Sequence, residues 1–414
     1  MKKTLIIAFM AVFAVSLAAS VSAGIFVPES KQELLPIPLV VEPESDYVVF
    51  TPEVSIEAEE AMVIIAADGS WGSSEQSTGE IEIYVDGEFF SRQYMVFNPP
   101  NSTLHPFSLR GAIKLTQGSH DVEMIVRAAG GEVVLLSGAL TVLVVKDAYV
   151  ENVSLEEQVI DCNVVSPGVS GDYSVNNCRP LSAKLNMAEP ATLVLLFSGN
   201  FERLGSTQGD VMVQFRHLVN KKIHANPELS LGINDLVIGH DEATPIGIFS
   251  SLELVPGENQ VELAIGRLFV PTIYEPDLAS LMTEGNIVVL AGDIPVLNRY
   301  YPDVKIGDEP ITLRTMFYVP ESGLAWVMFM GRWLDLDNSG TGGEAKISLL
   351  VDDEEVGPSV QQGWIEGFTI SQRSFVTTAL VKAKPGMHTA EMEITTPNAD
   401  MPALTMVGQL SVIY

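Results

Sequence analysis

One segment opens near Ala61, again near Ala191 and again near Gly323, and this recurrence constrains the architecture more than any other feature of the chain. Each copy begins with a dense apolar run: Met62 to Ala67, Leu193 to Phe197, and Leu324 to Phe329. Each also closes alike. Gly118-Ser119-His120-Asp121-Val122-Glu123-Met124 answers to Gly257-Glu258-Asn259-Gln260-Val261-Glu262-Leu263 and to Gly386-Met387-His388-Thr389-Ala390-Glu391-Met392. A repeat of roughly 130 residues is far longer than a solenoid unit, so each copy has the length to enclose its own core.

Within each copy the apolar residues alternate with polar ones, the mark of strands with one buried face. Val54, Ile56 and Ala58 alternate with Ser55, Glu57 and Glu59, and Leu181, Ala183, Leu185 and Met187 or Ile311, Leu313 and Phe317 do the same. Asp86-Gly87 reads as a tight hairpin turn, because glycine tolerates the positive φ such turns require. Gly- and Ser-rich loops are expected after the first dense strand, at Gly69–Gly79, Gly199–Gly209 and Gly331–Gly343. Glu275 to Met282, with proline near its start, reads as a short helix inserted in the second copy. The expected fold is all-β: three tandem antiparallel β-sandwiches of jelly-roll type after a signal peptide. The segments are 1–23 (signal), 24–147 with an extended lead-in, 148–299 with a disulfide loop and the helical insertion, and 300–414.

Lys2 and Lys3, the apolar run from Leu5 to Ala19 and the small residues before Gly24 read as a cleaved secretory signal. The mature protein is then exported: periplasmic, secreted or held at the cell surface. Without Lys2 and Lys3 the formal charge moves from -30 to -32. Such a field repels nucleic acid and anionic lipid. A membrane anchor is the competing reading of the first apolar run, but that run is short of the roughly 20 residues a spanning helix needs and no second stretch is long enough, so no membrane insertion is expected. Tyr414 and the alternating apolar residues before it resemble the last strand of an outer-membrane barrel, but Leu140 to Val144 repeats that strand in mid-chain. The chain has only two cysteines, Cys162 and Cys178, and in an exported protein these are expected to form a disulfide. Closing a loop of fifteen intervening residues contributes roughly 3 kcal/mol.

Candidate sites are few. His120 and His388 hold equivalent turn positions where the second copy has Asn259, which favours a hydrogen bond to nearby backbone over catalysis. His217, His224 and His240 beside Asp241 and Glu242 carry imidazole and carboxylate but match no zinc spacing, so solvated loop residues are the plainer reading. Asp335, Asp337 and Ser339 with Gly340 resemble the opening of a calcium loop; Lys346 stands where its closing glutamate belongs, and Glu344 is the substitute. A polar hairpin loop is the alternative there, and no other cofactor is indicated. Trp71, Phe201 and Trp333 follow the dense strand in the three copies, with Trp364, Tyr94 and Phe97 as further aromatics. They either stack on a sugar or plug the end of the core. No nucleophile-elbow, phosphate-loop or dinucleotide motif occurs.

The late elements Leu115 to His120 with Leu140-Thr141-Val142, and Pro385 to His388 with Leu410-Ser411-Val412, resemble the jelly roll of the tumour-necrosis-factor and complement-globular superfamily. That resemblance implies a binding module and three sandwiches packed around a threefold axis. The dense strand points the same way, since it is apolar on both faces in every copy and both faces need cover. An internal pseudo-trimer is therefore expected, with a homo-oligomer burying the same faces as the alternative. The functional expectation is an exported, non-catalytic structural or recognition protein whose loops bind a protein or surface partner. Carbohydrate binding through the loop aromatics, on a surface glycan, is the second reading, and an exported hydrolase without nameable residues is the third.

Overall fold

The computed structural model describes residues 25–414 apart from 98–103, 156–157, 161–162, 165–180, 205–210, 221, 224–232, 239–242, 269–278, 307–308, 320–322, 335–342, 365–373, 383 and 397–403. The signal segment, Cys162, Cys178, Asp335, Asp337 and Ser339 therefore lie outside the described residues. No helix occurs among the described residues, and the ladders are antiparallel save for a two-residue parallel contact of Asn163–Val164 with Arg267–Leu268.

The strands fall into three groups, here called units. In the third, the chain runs Val296–Ile306, Ile311–Val319, Leu324–Leu334, Gly343–Val351, Val360–Trp364, Ser374–Lys382, Gly386–Thr395 and Leu404–Ile413. The first, eighth, third and sixth of these form one sheet and the second, seventh, fourth and fifth the other, the crossed connectivity of a double-sheet jelly roll. The second unit follows the same order: Tyr149–Leu155, Ala279–Gly292, Ala191–Leu204 and Ala243–Leu254 in one sheet, and Leu181–Met187, Gly257–Leu268, Val211–Val219 and Ile233–Ile238 in the other. In the first unit, Glu53–Gly72 and Leu104–Ala129 are long enough to pass through both sheets and fuse them. The register shift between Ile56 and Glu60 marks the corner where Glu53–Gly72 changes sheet.

We call Glu53–Gly72, Ala191–Leu204 and Leu324–Leu334 the core strands. Their neighbours are the flanking strands Leu104–Ala129, Ala243–Leu254 and Ser374–Lys382, and the closing strands Val133–Val145, Ala279–Gly292 and Leu404–Ile413. A facing glycine pair aligns the three: Gly69 with Gly138, Gly199 with Gly285, and Gly331 with Gly408. Phe107 lies over Gly69, and Phe375 over Gly331, so closely that a Cβ at either glycine would overlap the ring.

Because side chains alternate along a strand, a core strand apolar on both faces packs in two directions; in the first and third units these feed separate clusters, and in the second they run together in one. Val63, Ile65 and Ala67 fill the first sandwich, while Ile64 and Ala66 enter a second cluster with Leu193 to Phe197 of the second unit and Trp326, Met328 and Met330 of the third. Ala325, Val327 and Phe329 fill the third unit's own core. The closing strands divide likewise: Leu410 and Val412 point inward, and Ile413 joins the shared cluster.

Two local expectations need correction. Ala279 to Met282 are strand, the start of a closing strand paired with Phe201 to Leu204, because ladder hydrogen bonds outweigh the weak helical propensity of that stretch. The core strands also extend beyond the glycines at which loops were expected to begin, to Gly72, Leu204 and Leu334. Asp86 and Gly87 do form a tight turn, both with positive φ (52° and 79°).

Candidate functional site

The loop aromatics divide by burial. Trp71 and Phe201 are fully buried, and Trp71 packs edge-on against Phe97 at 5.6 Å and Phe107 at 5.7 Å. Both residues cap the inner end of a hydrophobic cluster, so neither leaves a ring face free for a sugar. Trp333 and Trp364 end strands at the same end of the third unit. Glu344 is half-buried and paired through its backbone with Gly363, inside a ladder and not in a loop.

The polar chemistry concentrates where the units meet. Asp68, Ser198 and Met330 are equivalent, each directly preceding the aligning glycine of its core strand, and each side chain faces a flanking strand of another unit. Asp68 Oδ2 accepts from Thr378 Oγ1 at 2.6 Å. Ser198 Oγ accepts from the Arg110 N–H at 2.9 Å and donates to the Arg110 carbonyl at 3.1 Å. Met330 Sδ accepts from the Phe249 N–H at 3.3 Å. Arg110, Phe249 and Thr378 are themselves equivalent, lying across from Ala66, Leu196 and Met328. One position thus meets one other position three times: first unit to third, second to first, third to second.

A second row of contacts repeats this cycle. Gln32, Asn152 and Asn298 sit at matching places on the strands that border the closing strands. Gln32 Oε1 accepts from the Leu380 N–H at 3.1 Å, Asn152 Oδ1 from the Ala112 N–H at 3.2 Å, and Asn298 Nδ2 donates to Ser251 Oγ at 2.6 Å. Ala112, Ser251 and Leu380 are again equivalent. Nearer the other end, Ser70 Oγ accepts from the Gln361 N–H at 2.6 Å, and Asn200 Oδ1 from the Tyr94 N–H at 3.3 Å.

Asp68 and Arg110, each 1 % exposed, form an ion pair at 2.7 Å in the middle of these contacts. Ser108 donates to the same carboxylate oxygen at 2.8 Å and accepts from Arg110 Nη1, so the pair is enclosed by hydrogen bonds. Gly247 of the second unit lies against Ser108 and Arg110, where a Cβ would overlap the hydroxyl. Arg110 Nε and Asn200 Nδ2 are buried donors without an acceptor. Asp68, Ser108, Arg110, Ser198 and Asn200 are buried within the seams.

The opposite end carries the repeated turns. Asp86, Asn220 and Asp352 adopt positive φ (52°, 52° and 53°). Each donates its backbone N–H to the carbonyl of the residue after the turn histidine or asparagine (Asp121, Gln260 or Thr389) and accepts that residue's N–H on its own side-chain oxygen. His120 Nδ1 meets Asp86 at 2.7 Å and Nε2 the Thr116 carbonyl at 2.8 Å; His388 meets Asp352 at 2.5 Å and the Lys384 carbonyl at 2.6 Å. Asn259 makes the same bridge, to Asn220 at 3.1 Å and the Val255 carbonyl at 2.8 Å. The aspartate bonds raise both histidines above the usual range. Burial pushes Asp86 and Asp352 up, but the histidine and backbone bonds outweigh it and leave both below their ordinary value. Sequence reasoning assigned these histidines to backbone bonding but missed their aspartate partners.

Asp46, Glu80 and Arg127 line an open notch on the first unit, with Arg127 held by Asp46 at 2.9 Å and by Glu82. Among the described residues no cluster of three or more His, Cys, Asp or Glu is arranged to hold a metal.

No family model matches the chain, nor does any curated protein sequence. Among solved structures, PNGF-II is 8% identical over 82% of this chain and 99% of its own, with a TM-score of 0.28. A family 35 carbohydrate binding module from Clostridium thermocellum is 15% identical over 33% of this chain and 97% of its own, at 0.17, and the STIV MCP is 11% identical over 61% and 98%, at 0.18. Likenesses this slight carry no argument about function.

Proposed function

We propose that the chain is an exported, non-catalytic recognition scaffold in which three β-sandwich domains close into an internal ring and present their loop ends together to a protein or surface partner. The observation that carries this reading is the cyclic contact of positions 68, 198 and 330 with 378, 110 and 249. Contacts between equivalent levels require the three core strands to run in the same direction. The strand ends at Gly72, Leu204 and Leu334 then lie on one face and the aspartate and asparagine turns on the other. A heterologous contact repeated three times closes when the rotation is threefold. The polar side chains at its centre are taken up by holding the domains, which leaves the loop face to meet a partner.

Small-angle scattering on the mature chain tests the ring, with a radius of gyration of about 21 Å expected for a compact particle of this length. Three separated lobes with a much larger value would overturn it. Binding to intact cells and to their isolated surface polysaccharide, alongside a panel of glycan, peptide and ester substrates, tests the function. Replacing residues 335–342 and 365–373 with Gly-Ser segments should weaken binding while Phe89→Ser at the turn end leaves it unchanged. Turnover of any substrate, or binding indifferent to the loop replacements, would refute the proposal.

A further inference from the structure

The three seams are not tethered alike. Residues 146–148 join the first unit to the second and 293–295 the second to the third, linkers of three residues that hold their partners at high effective concentration. The third seam brings the two ends of the chain together and has no linker. It has instead residues 25–30, which precede the bordering strand Lys31–Leu34 and stand where the other two seams have only their three-residue linkers.

Ile25 and Phe26 are 2 % and 1 % exposed, although they begin the described chain. They are pinned to the first unit's closing strand, where Val27 N–H donates to the Val144 carbonyl at 3.1 Å and Lys146 N–H to the Ile25 carbonyl at 2.9 Å. From there the Phe26 ring crosses the seam to meet Trp326 of the third unit, edge-on at 6.2 Å and 87°. Six residues later Gln32, on the strand Lys31–Leu34, crosses it again. Its Nε2 donates to Thr141 Oγ1 of its own unit at 2.9 Å and to the Thr378 carbonyl at 3.4 Å, and its Oε1 accepts from the Leu380 N–H. Asn152 and Asn298 make a single such crossing at their own seams.

We propose that residues 25–34 are a latch that closes the ring at its untethered seam, with Phe26 as the apolar bolt and Gln32 as the polar one. This rests on the ring reading above. The latch acts on the whole seam, not only on the atoms it touches, because two packed sheets separate as a unit.

Amide-resolved hydrogen exchange on the full mature chain tests it, comparing wild type with Phe26→Ala, Gln32→Ala, the double variant and Asn152→Ala. The readouts are two equivalent amides remote from the latch: Gln361, bonded to Ser70 across the untethered seam, and Tyr94, bonded to Asn200 across the tethered seam between the first and second units. The double variant should speed exchange at Gln361 about tenfold and leave Tyr94 as it was, with Gln32→Ala alone giving a smaller change of the same kind. Asn152→Ala should not move Gln361. An unchanged Gln361, or equal acceleration at both amides, overturns the latch. Rapid exchange at both amides in the wild type would instead show that the ring itself is wrong.

Discussion

The turn histidines give a pH dependence whose sign and size follow from the structure. Converting both His–Asp clasps to the pair found in the second unit, by Asp86→Asn, His120→Asn, Asp352→Asn and His388→Asn together, keeps a side-chain bridge but removes its charge. Each histidine is 11% exposed, but its aspartate is about half exposed (47% and 50%), so solvent screening discounts each clasp to about 1 kcal/mol. Histidine pKa values raised on folding contribute stability that is complete below the unfolded value of about 6.5 and is lost as pH rises through the folded one. The lowered aspartates contribute stability present above about 3.8 and lost as pH falls through their folded values. The clasps therefore act fully between about pH 4 and 6.5. Above that window a neutral imidazole keeps one N–H and cannot donate to both the carboxylate and the carbonyl.

At pH 5.5 the fourfold variant should be about 2 kcal/mol less stable than wild type, and at pH 8.5 nearly equal to it. If the chain melts as one cooperative body this lowers Tm by roughly 2 °C; if each unit melts alone, the two affected units each lose roughly 4 °C. Differential scanning calorimetry across that range measures both. A wild-type and variant difference in Tm that does not shrink between pH 5.5 and 8.5 would refute the assignment of charge to these clasps.

Asp68→Asn should cost about 3–5 kcal/mol in urea unfolding, because it leaves the Arg110 guanidinium buried without its counter-charge, and a loss under 1 kcal/mol would contradict the enclosed ion pair. Peptide mapping of non-reduced mature protein should yield a fragment linked through Cys162 and Cys178; free thiols at both would refute the disulfide. If Asp335, Asp337, Ser339 and Glu344 hold calcium, millimolar calcium should raise Tm relative to chelator and Asp335→Asn should abolish the rise; an unchanged Tm would leave the polar hairpin loop.

Strand content was legible because alternation is local: Val54 and Ile56 against Ser55 and Glu57 declare a face wherever that face ends up. The shared cluster was legible too, as an excess. Ile64 and Ala66 are apolar where a sandwich with one wet face calls for polar residues, and their partners come from the other two units. The seam chemistry was not legible. Asp68 and Arg110 are 42 residues apart and Asp68 and Thr378 310 apart, and nothing in a chain that is 18% charged distinguishes these groups from solvated ones. The one signal was contextual: a carboxylate within Ala66-Ala67-Asp68-Gly69 and a guanidinium within Ser108-Leu109-Arg110-Gly111, each set inside a dense apolar strand. The helical expectation at Ala279 to Met282 failed for the opposite reason, because it rested on local preference and the ladder to Phe201 to Leu204 is a distant claim.

Position 68 is an aspartate, position 198 a serine and position 330 a methionine, each matched to a different partner across its seam. Genes built from like segments tend to lose or gain a segment by misaligned recombination, and a solenoid tolerates the change because every unit ends where the next begins. This molecule has no such freedom. A product lacking the first unit would face Ser198 with Thr378 in place of Arg110. The mismatch among the three junctions ties each unit to its own neighbours, and so sets the order in which these three can pack.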